Sequence, residues 1–336
     1  MKITAERLEL WVSRIFQHEG MALAHADLVA KVLVWADLRG MDTHGVVRAP
    51  RYVDLIRTGD LNPRPAMSTR GETAACVLLE ADRAAGPVAM THAADLAVAK
   101  AKEAGAGVCL VRATTHTAAL GYYTQLATEK GMAAIAFSGS WPNMAYHGAR
   151  AAGVSTAPLA IAVPGEGGPI ALDIASGILS MGKLMQARRS GTALPPGSAL
   201  DAKGNETTDA RAATLPLPLG GAKGSGLSLL IECLASLITG NPLLAESLEG
   251  TPLGKRHRQN GAVIVLDIAR FVEPAQFRRE VARLARAIKA LPPQPEMEIL
   301  LPGERGARNA KARRADGIEL PKSLYEELRA LIADPA

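Results

Sequence analysis

Apolar residues return at three- and four-residue intervals near the start of the chain: Leu8, Trp11, Val12, Ile15 and Phe16, then Val29, Val32, Leu33 and Ala36. This spacing predicts two amphipathic helices, because residues three and four apart share one helix face. Thr4 is a candidate N-cap for the first, Gly20 is its natural stop, and Gly40 ends the second. "RAPRYVDLIRTG", residues 48–59, predicts a shorter helix before the proline-rich break "LNPRPAM". From about residue 73 the pattern changes to apolar runs alternating with amphipathic stretches. The runs "GVCLVRA", "MAAIAF", "LAIAVP", "IALDIA" and "GAVIVLDI" predict buried strands; "VAMTHAADLAVAKAKEAG", "ALGYYTQLATEKG" and "SGLSLLIECLASLITG" predict helices between them. Residues 274–291 and 321–333 predict two more helices. The pattern gives an α/β fold: a helical part over residues 1–70, an α/β domain over 71–273, and C-terminal helices over 274–336 that pack with the N-terminal part.

The 336 residues are 48% hydrophobic and 21% charged, an ordinary balance for a globular chain able to bury a sizeable core. No run of about 18 apolar residues occurs, and "MKITAERLELW" lacks the basic-then-apolar order of a secretory signal. A soluble, cytoplasmic protein with no membrane partner is expected. Cys76, Cys109 and Cys233 have no paired spacing, so reduced, buried thiols are expected rather than disulfides or a zinc cluster. Net charge is +5, and part of the excess lies in "GERGARNAKARR", residues 303–314, which reads as a solvated loop. The tract has no aromatics on which bases could stack, which argues against a nucleic-acid partner; a small phosphorylated cofactor suits it better.

"GSGLSL" and "GEGGPI" fail the dinucleotide fingerprint at its third glycine, and "GGAKGSG" separates lysine from serine where a P-loop needs them adjacent. Even so, a glycine-rich turn feeding an apolar helix presents free N–H groups at a positive helix end, and Lys223 adds a charge, so the segment suits a pyrophosphate. A plain turn that starts a buried helix is the alternative. The seven histidines form no H-x-x-x-H helix and no aspartate-rich loop occurs, so no metal is expected. His18, His25, His92, His147 and His257 read as surface or structural, and no G-x-S-x-G elbow supports a hydrolase. Two histidines keep other company. His44 stands four residues before Arg48 in "DTHGVVR", and His116 lies in "VRATTHTAALGYY", between a predicted strand and a predicted helix. An arginine grips a carboxylate at two points while an imidazole exchanges a proton with the neighbouring oxygen, which points to a small carboxylate-bearing substrate. A satisfied loop histidine is the plainer alternative.

"DLRGMDTHGVVRAPRYVDLIRTGDLNPRP" closely resembles the opening motif of the malate/L-lactate dehydrogenase family of non-Rossmann fold, which also holds ureidoglycolate and sulfolactate dehydrogenases, diketogulonate reductase and cyclic imino acid reductases. Further matches follow in order: "HTAALGYY", "LDIASGILSMGK", "ALDAKGNETTDA", "GAKGSGLSLLIECLASLITG" and "LPGER". The resemblance implies hydride transfer between NAD or NADP and a 2-hydroxy acid or 2-oxo acid, in a homodimer whose cofactor sits in an unusual α/β domain. By motif position it implies His44 and His116 as proton-transfer residues, Arg48 as the carboxylate clamp, and Tyr52, one helical turn on, as a pocket residue. It implies cofactor contacts from Asp173, Ser176, Lys223, Gly224, Gly303, Glu304 and Arg305, with Ser140 a further candidate. His44 is the preferred proton donor, because Arg48 on the same segment sets its distance from the substrate oxygen; His116 then bonds that oxygen or orients the substrate.

The departures concern the substrate more than the reaction. Thr43-His44-Gly45 stands for the family's S-H-G, Ala113 to Ala118 for N-S-x-H-F-G, and Ser155-Thr156-Ala157-Pro158 for G-T-N-P. Reduction of a cyclic imine beside a carboxylate uses the same clamp and is the alternative within this fold. A ligand-binding homologue without catalysis is the alternative in another class, prompted by the flanks of His116 and opposed by both histidines, Arg48 and Lys223. Arg188 and Arg189 either meet a 2′-phosphate or complement a helix end, so NAD and NADP both stay open.

Overall fold

The computed structural model describes residues 1–250 and 259–333; His257 lies outside them. Strand β1 (Lys2–Ile3) leads into α1 (Ala5–His18), where the Thr4 hydroxyl accepts from the Arg7 N–H at 3.3 Å and so closes the first turn. Leu8, Val12, Ile15 and Phe16 form its buried face, the stripe that the periodicity marks. α2 (Leu23–Leu38) and α3 (Ala49–Arg57) follow, with Pro50 in the first turn of α3, where an N–H would have no helical partner.

β2 (Ser68–Arg70), β3 (Cys76–Glu80), α4 (Gly86–Ala104), β4 (Ala106–Thr114), α5 (Gly121–Glu129) and β5 (Ala133–Gly139) begin the main sheet. A small hairpin, β6 (Met144–Ala145) and β7 (Ala152–Val154), precedes β8 (Leu159–Val163) and β9 (Ile170–Ile174). Next come α6 (Met181–Ser190), a second hairpin of β10 (Ala199–Asp201) and β11 (Ala213–Pro216), α7 (Ala222–Glu232) and α8 (Leu244–Leu248). β12 (Gln259–Leu266), α9 (Pro274–Lys289), α10 (Glu304–Asp316), β13 (Ile318–Glu319) and α11 (Lys322–Ala333) complete the described chain.

The main sheet has the order β2-β3-β4-β12-β5-β8-β9. β3 and β4, linked through α4, run parallel, whereas its other neighbouring strands run antiparallel. A doubly wound dinucleotide fold needs a parallel sheet, so this mixed topology agrees with the missing glycine fingerprint. β12 arrives late in the chain yet sits at the centre, with Val263 opposite both Cys109 and Ala136. One continuous core joins α1, α2, α3, α4, α5, the sheet and α11. The Trp11 and Tyr325 rings, 5.3 Å apart, pin α11 to α1, and α10 lies on α2, whereas α9 leans on the turn Ile268–Arg270 and buries no residue fully. No helix among the described residues is long and apolar enough to cross a membrane.

Two expectations need correction. Residues 304–316 are helical rather than a loop: arginine, lysine, alanine and glutamate favour helix, but an almost wholly polar helix has no apolar stripe to betray it. Part of its charge is tied down, Arg308 to Glu298 and Glu304 and Arg313 to Asp42. The thiols are also not uniformly buried. Cys109 is buried, Cys233 is half-buried, and Cys76 opens β3 on its outward face and is exposed.

Candidate active site

The chain reverses from α2 into α3 through two single 3₁₀ turns, Asp42–His44 and Val46–Arg48. Asp37 organises the reversal. Its carboxyl group, in a residue 3% exposed, accepts from the Val46 N–H at 2.8 Å, and a Cβ on residue 45 would overlap it, so glycine is required there. Burial raises the Asp37 carboxyl to about 8. His44, Arg48 and Tyr52 therefore leave one short, pinned segment. Arg48 Nε donates to the Thr43 carbonyl at 2.7 Å, and Thr43 Oγ1 lies 2.9 Å from His44 Nδ1.

His116 enters from the loop between β4 and α5. Its ring stacks with that of His44, centroids 5.7 Å apart and planes inclined by 24°. The Tyr52 hydroxyl lies 2.8 Å from His116 Nδ1 and 2.9 Å from the His116 carbonyl, and Tyr52 itself is only 1% exposed. That hydroxyl has one hydrogen and two acceptors. Pointed at the carbonyl, it leaves the phenol oxygen to accept from Nδ1–H and Nε2 free to act as a base; pointed at Nδ1, it puts the ring proton on Nε2. The Ala118 N–H, 3.3 Å from Nδ1, favours the second arrangement. Burial, then the charge of Arg48, lowers His44 to about 4. Burial, Arg48 and His44 hold His116 well below the ordinary histidine range. Both rings are neutral at neutral pH.

The loop that carries His116 is bent at both ends. Ala113 and Ala118 have φ of 56° and 52°, the left-handed region that costs roughly 1–2 kcal/mol for a residue with a Cβ. The surroundings impose it. Asn260 Oδ1 accepts from the Ala113 N–H at 3.0 Å, the Thr114 and Thr115 hydroxyls donate to the Ala84 carbonyl at 3.1 Å, and Tyr123 donates to the Thr117 carbonyl at 2.6 Å. Gly86 lets α4 touch the His116 carbonyl, where a Cβ would overlap it. Ala118→Gly removes the steric cost and adds roughly 0.5–1 kcal/mol of glycine entropy, so a net gain of about 0.5–1 kcal/mol is expected. Urea unfolding of both proteins measures it, and an unchanged or lower midpoint contradicts the strain.

Three of the predicted cofactor residues meet at the entry to α7. Leu219 N–H donates to the Ser176 carbonyl at 2.9 Å and Gly224 N–H to the Leu219 carbonyl at 2.8 Å, so close that a Cβ on Gly224 would stand 2.5 Å from the Ser176 carbonyl oxygen. The Ser176 hydroxyl, in a residue 1% exposed, has no hydrogen-bond partner, and Lys223, next to Gly224 in sequence, is exposed with no ion pair among the described residues. An orphaned hydroxyl, a glycine cradle and a free cation at a helix N-terminus fit an anionic cofactor. His147, read from sequence as surface or structural, stands by the same entry: its backbone N–H donates to Ser225 Oγ at 2.8 Å and its ring faces Gly221.

A second group forms around Arg39, which sequence reading passes over. Arg39 donates to the Gly303 carbonyl at 3.1 Å and its charge acts on Asp173, whose carboxyl accepts from the Gly121 N–H at 2.7 Å and is raised to about 6 by burial. Glu304 takes Lys289, at 2.5 Å, and the Leu301 N–H, at 3.1 Å, and these bonds pull it down to about 2. Asp173 and Glu304 thus hold helix starts in place, while Arg305 is exposed. Ser140 follows β5, its hydroxyl 3.5 Å from the Trp141 carbonyl. Arg188 bonds the carbonyls of Ala210 and Ala213.

A family model described as malate/L-lactate dehydrogenase matches residues 3–329. The chain belongs to the malate/L-lactate dehydrogenase family. It is 35% identical over 315 residues to L-sulfolactate dehydrogenase of Methanocaldococcus jannaschii, covering 93% of this chain and 91% of that protein. The solved structure of that enzyme superposes with a TM-score of 0.89, covering 99% of this chain and 97% of the other at 32% identity. Malate dehydrogenase of Pyrococcus horikoshii is 32% identical over 347 residues, 98% of this chain and 94% of that protein, and the NAD(+) ureidoglycolate dehydrogenase of Escherichia coli K12 is 32% identical over 340 residues, 98% and 95%. Within the malate/L-lactate dehydrogenase pattern, asparagine and glycine stand where this chain has Ala113 and Ala118, and those two residue types enter the left-handed region most readily. This chain bends there without the residue types that ease it.

Proposed function

We propose that this member of the family interconverts a 2-hydroxy acid and its 2-oxo acid, with Arg48 gripping the carboxylate and His116 exchanging the hydroxyl proton. Dehydrogenases of the family use a nicotinamide cofactor, which supplies the hydride acceptor in one direction and the donor in the other. The observation that carries the reading is the meeting of Arg48, His44 and His116, with the Tyr52 hydroxyl bonded to His116 Nδ1. That bond supports His116 over His44 for the proton-transfer role. A buried phenol anchors His116 at its ring Nδ1 and at its backbone carbonyl, whereas His44 has a threonine hydroxyl beside it. Oxidation calls for the other tautomer, with the Tyr52 hydroxyl turned to the His116 carbonyl and the ring proton on Nδ1, so that Nε2 of His116 takes the hydroxyl proton while His44 bonds the same substrate oxygen.

Ser176, Lys223 and Gly224 contact the cofactor phosphates, and Ser140, Gly303 and Arg305 complete that cleft; Asp173 and Glu304 position helices around it. NAD is favoured over NADP, since Arg188 is already bonded to two carbonyls. Leu229, Leu230, Leu234, Leu237 and Ile238 are exposed along α7 and its continuation, an apolar face suited to a second copy in a homodimer.

With purified protein and NAD, reduced nicotinamide should form when 2-hydroxy acids are supplied. Lys223→Ala should weaken NADH binding about tenfold or more, the worth of one charge-assisted hydrogen bond, with circular dichroism unchanged. Unaltered affinity in that variant takes the α7 entry out of the cofactor site; absence of turnover with every acid overturns the reading.

A further inference from the structure

Two irregularities of the backbone meet beside the loop that carries His116. The pairing of β12 with β4 jumps from Gln259–Thr114 to Gly261–Val111, so Asn260 alone stands opposite Arg112 and Ala113. This is a β-bulge, and Ala113 has there the left-handed φ of 56° that such a position usually gives to glycine. Past α7 the chain makes one π turn, Cys233–Leu237, closed by the Ile238 N–H on the Cys233 carbonyl at 3.1 Å. Insertions of either kind re-aim side chains and gather at functional sites. Here Asn260 bridges them. Its Oδ1 accepts from the Ala113 N–H at 3.0 Å and from Asn241 Nδ2 at 2.8 Å, while its Nδ2 donates to Ser236 Oγ at 3.0 Å and to the Asn241 carbonyl at 2.9 Å. Every hydrogen-bonding position of the amide is used, which fixes its orientation. Ser236 donates in turn to Glu232 Oε2 at 2.7 Å, and Glu232 Oε1 accepts from the Leu243 and Leu244 N–H groups at 3.0 and 3.1 Å. The four side chains are buried, and a Cβ on Gly139, the β5 residue paired with Asn260, would stand 2.8 Å from Glu232 and 2.9 Å from Ser236. A glycine there leaves room for this row of bonds.

We propose that Asn260 is a positioning residue for His116: it holds the bend at Ala113 and, through Ser236 and Glu232, ties that bend to α7. The proposal rests on the dehydrogenase reading above, in which His116 exchanges the proton and the entry of α7 holds the cofactor. One buried row of hydrogen bonds then joins the two halves of the site, so the imidazole and the cofactor helix keep a fixed spacing. Such spacing matters, since a misplacement of about 1 Å can cost about 10²-fold in rate. An alanine leaves the left-handed region when nothing holds it there, whereas a glycine enters it without steric cost. Released from Asn260, the loop lets His116 move out of the enclosure it shares with His44, Arg48 and Tyr52, and water reaches the ring.

The test is a double-mutant cycle of Asn260→Ala with Ala113→Gly. Asn260→Ala should slow single-turnover hydride transfer about 10–100-fold while NADH affinity stays within about twofold, because the entry of α7 is untouched. In the Ala113→Gly background the same substitution should cost under about threefold, since glycine holds the bend unaided. The His116 imidazole, titrated by NMR, reports the same event without turnover: Asn260→Ala should raise its pKa toward the ordinary value of about 6.5, and adding Ala113→Gly should bring it back down. A rate and a titration unmoved by Asn260→Ala overturn the proposal, as does a loss that Ala113→Gly leaves in full, which makes Asn260 a packing residue only. Should Asn260→Ala fail to fold, Ser236→Ala, which removes one hydroxyl from the row, decides in its place. It should slow hydride transfer about 3–10-fold, the worth of one buried hydrogen bond, with the same rise in the His116 titration; wild-type behaviour in both overturns the proposal. A wild type that oxidises no 2-hydroxy acid, with the titration shift and its reversal intact, removes the dehydrogenase reading and leaves the positioning of His116 standing.

Discussion

Arg48→Ala is expected to lower kcat/KM for 2-hydroxy acids by about 10²–10⁴-fold. Two charge-assisted hydrogen bonds of roughly 1.5–3 kcal/mol each are lost, at about 1.4 kcal/mol per decade. Arg48→Lys should recover little, since an ammonium cannot hold the Thr43 carbonyl with one nitrogen and a carboxylate with two others. The substitution to alanine also removes the positive charge that depresses both histidines. Any activity left should therefore show its acid limb at higher pH than the wild type. Steady-state rates across pH, with NADH affinity as the control, check both effects; equal loss of cofactor affinity would assign Arg48 to the cofactor instead.

How far the sequence alone leads depends on whether a feature is local. The α1 stripe of Leu8, Val12, Ile15 and Phe16 and the strand run of residues 261–266 announce themselves, because burial on one or both faces leaves a period. β3 does not: five residues beginning with an exposed cysteine are too few to show one. α10 is invisible for the opposite reason, being polar on almost every side. His44, Arg48 and His116 could be picked out by motif, yet nothing along the chain tells that Tyr52 bonds His116, since that bond crosses 64 residues. Arg39 and Asp37 act where α2, β9 and the His44 turn are brought together by the fold, and no spacing encodes such a meeting. The strain at Ala113 and Ala118 was open to reading in part, as alanines in place of asparagine and glycine.

His116→Ala is expected to slow hydride transfer by about 10²–10⁴-fold, the usual worth of a positioned acid–base group. Tyr52→Phe should cost about 10–100-fold, the range seen when a partner that orients an imidazole is removed. His44→Ala should do less to the rate and more to substrate KM. The pH dependence has a defined sign. A histidine with a lowered pKa stays neutral well below pH 6.5, so the base needed for oxidation is present across the neutral range, while the protonated donor needed for reduction is scarce and falls about tenfold per pH unit. The oxidising direction therefore has its base form in place across neutrality, whereas the reducing direction depends on the scarce protonated form and slows as pH rises.

Single-turnover formation of reduced nicotinamide from a 2-hydroxy acid, followed in wild type, His116→Ala and His44→Ala from about pH 5 to about pH 9, around the range where histidine titrates, tests that chemistry most directly. The account predicts a wild-type rate that is flat through neutrality and falls only toward the acid end, a fall preserved in His44→Ala and abolished with the rate in His116→Ala. A wild-type rate rising through pH 7, or a His116→Ala protein that keeps both the rate and its acid limb, would contradict it.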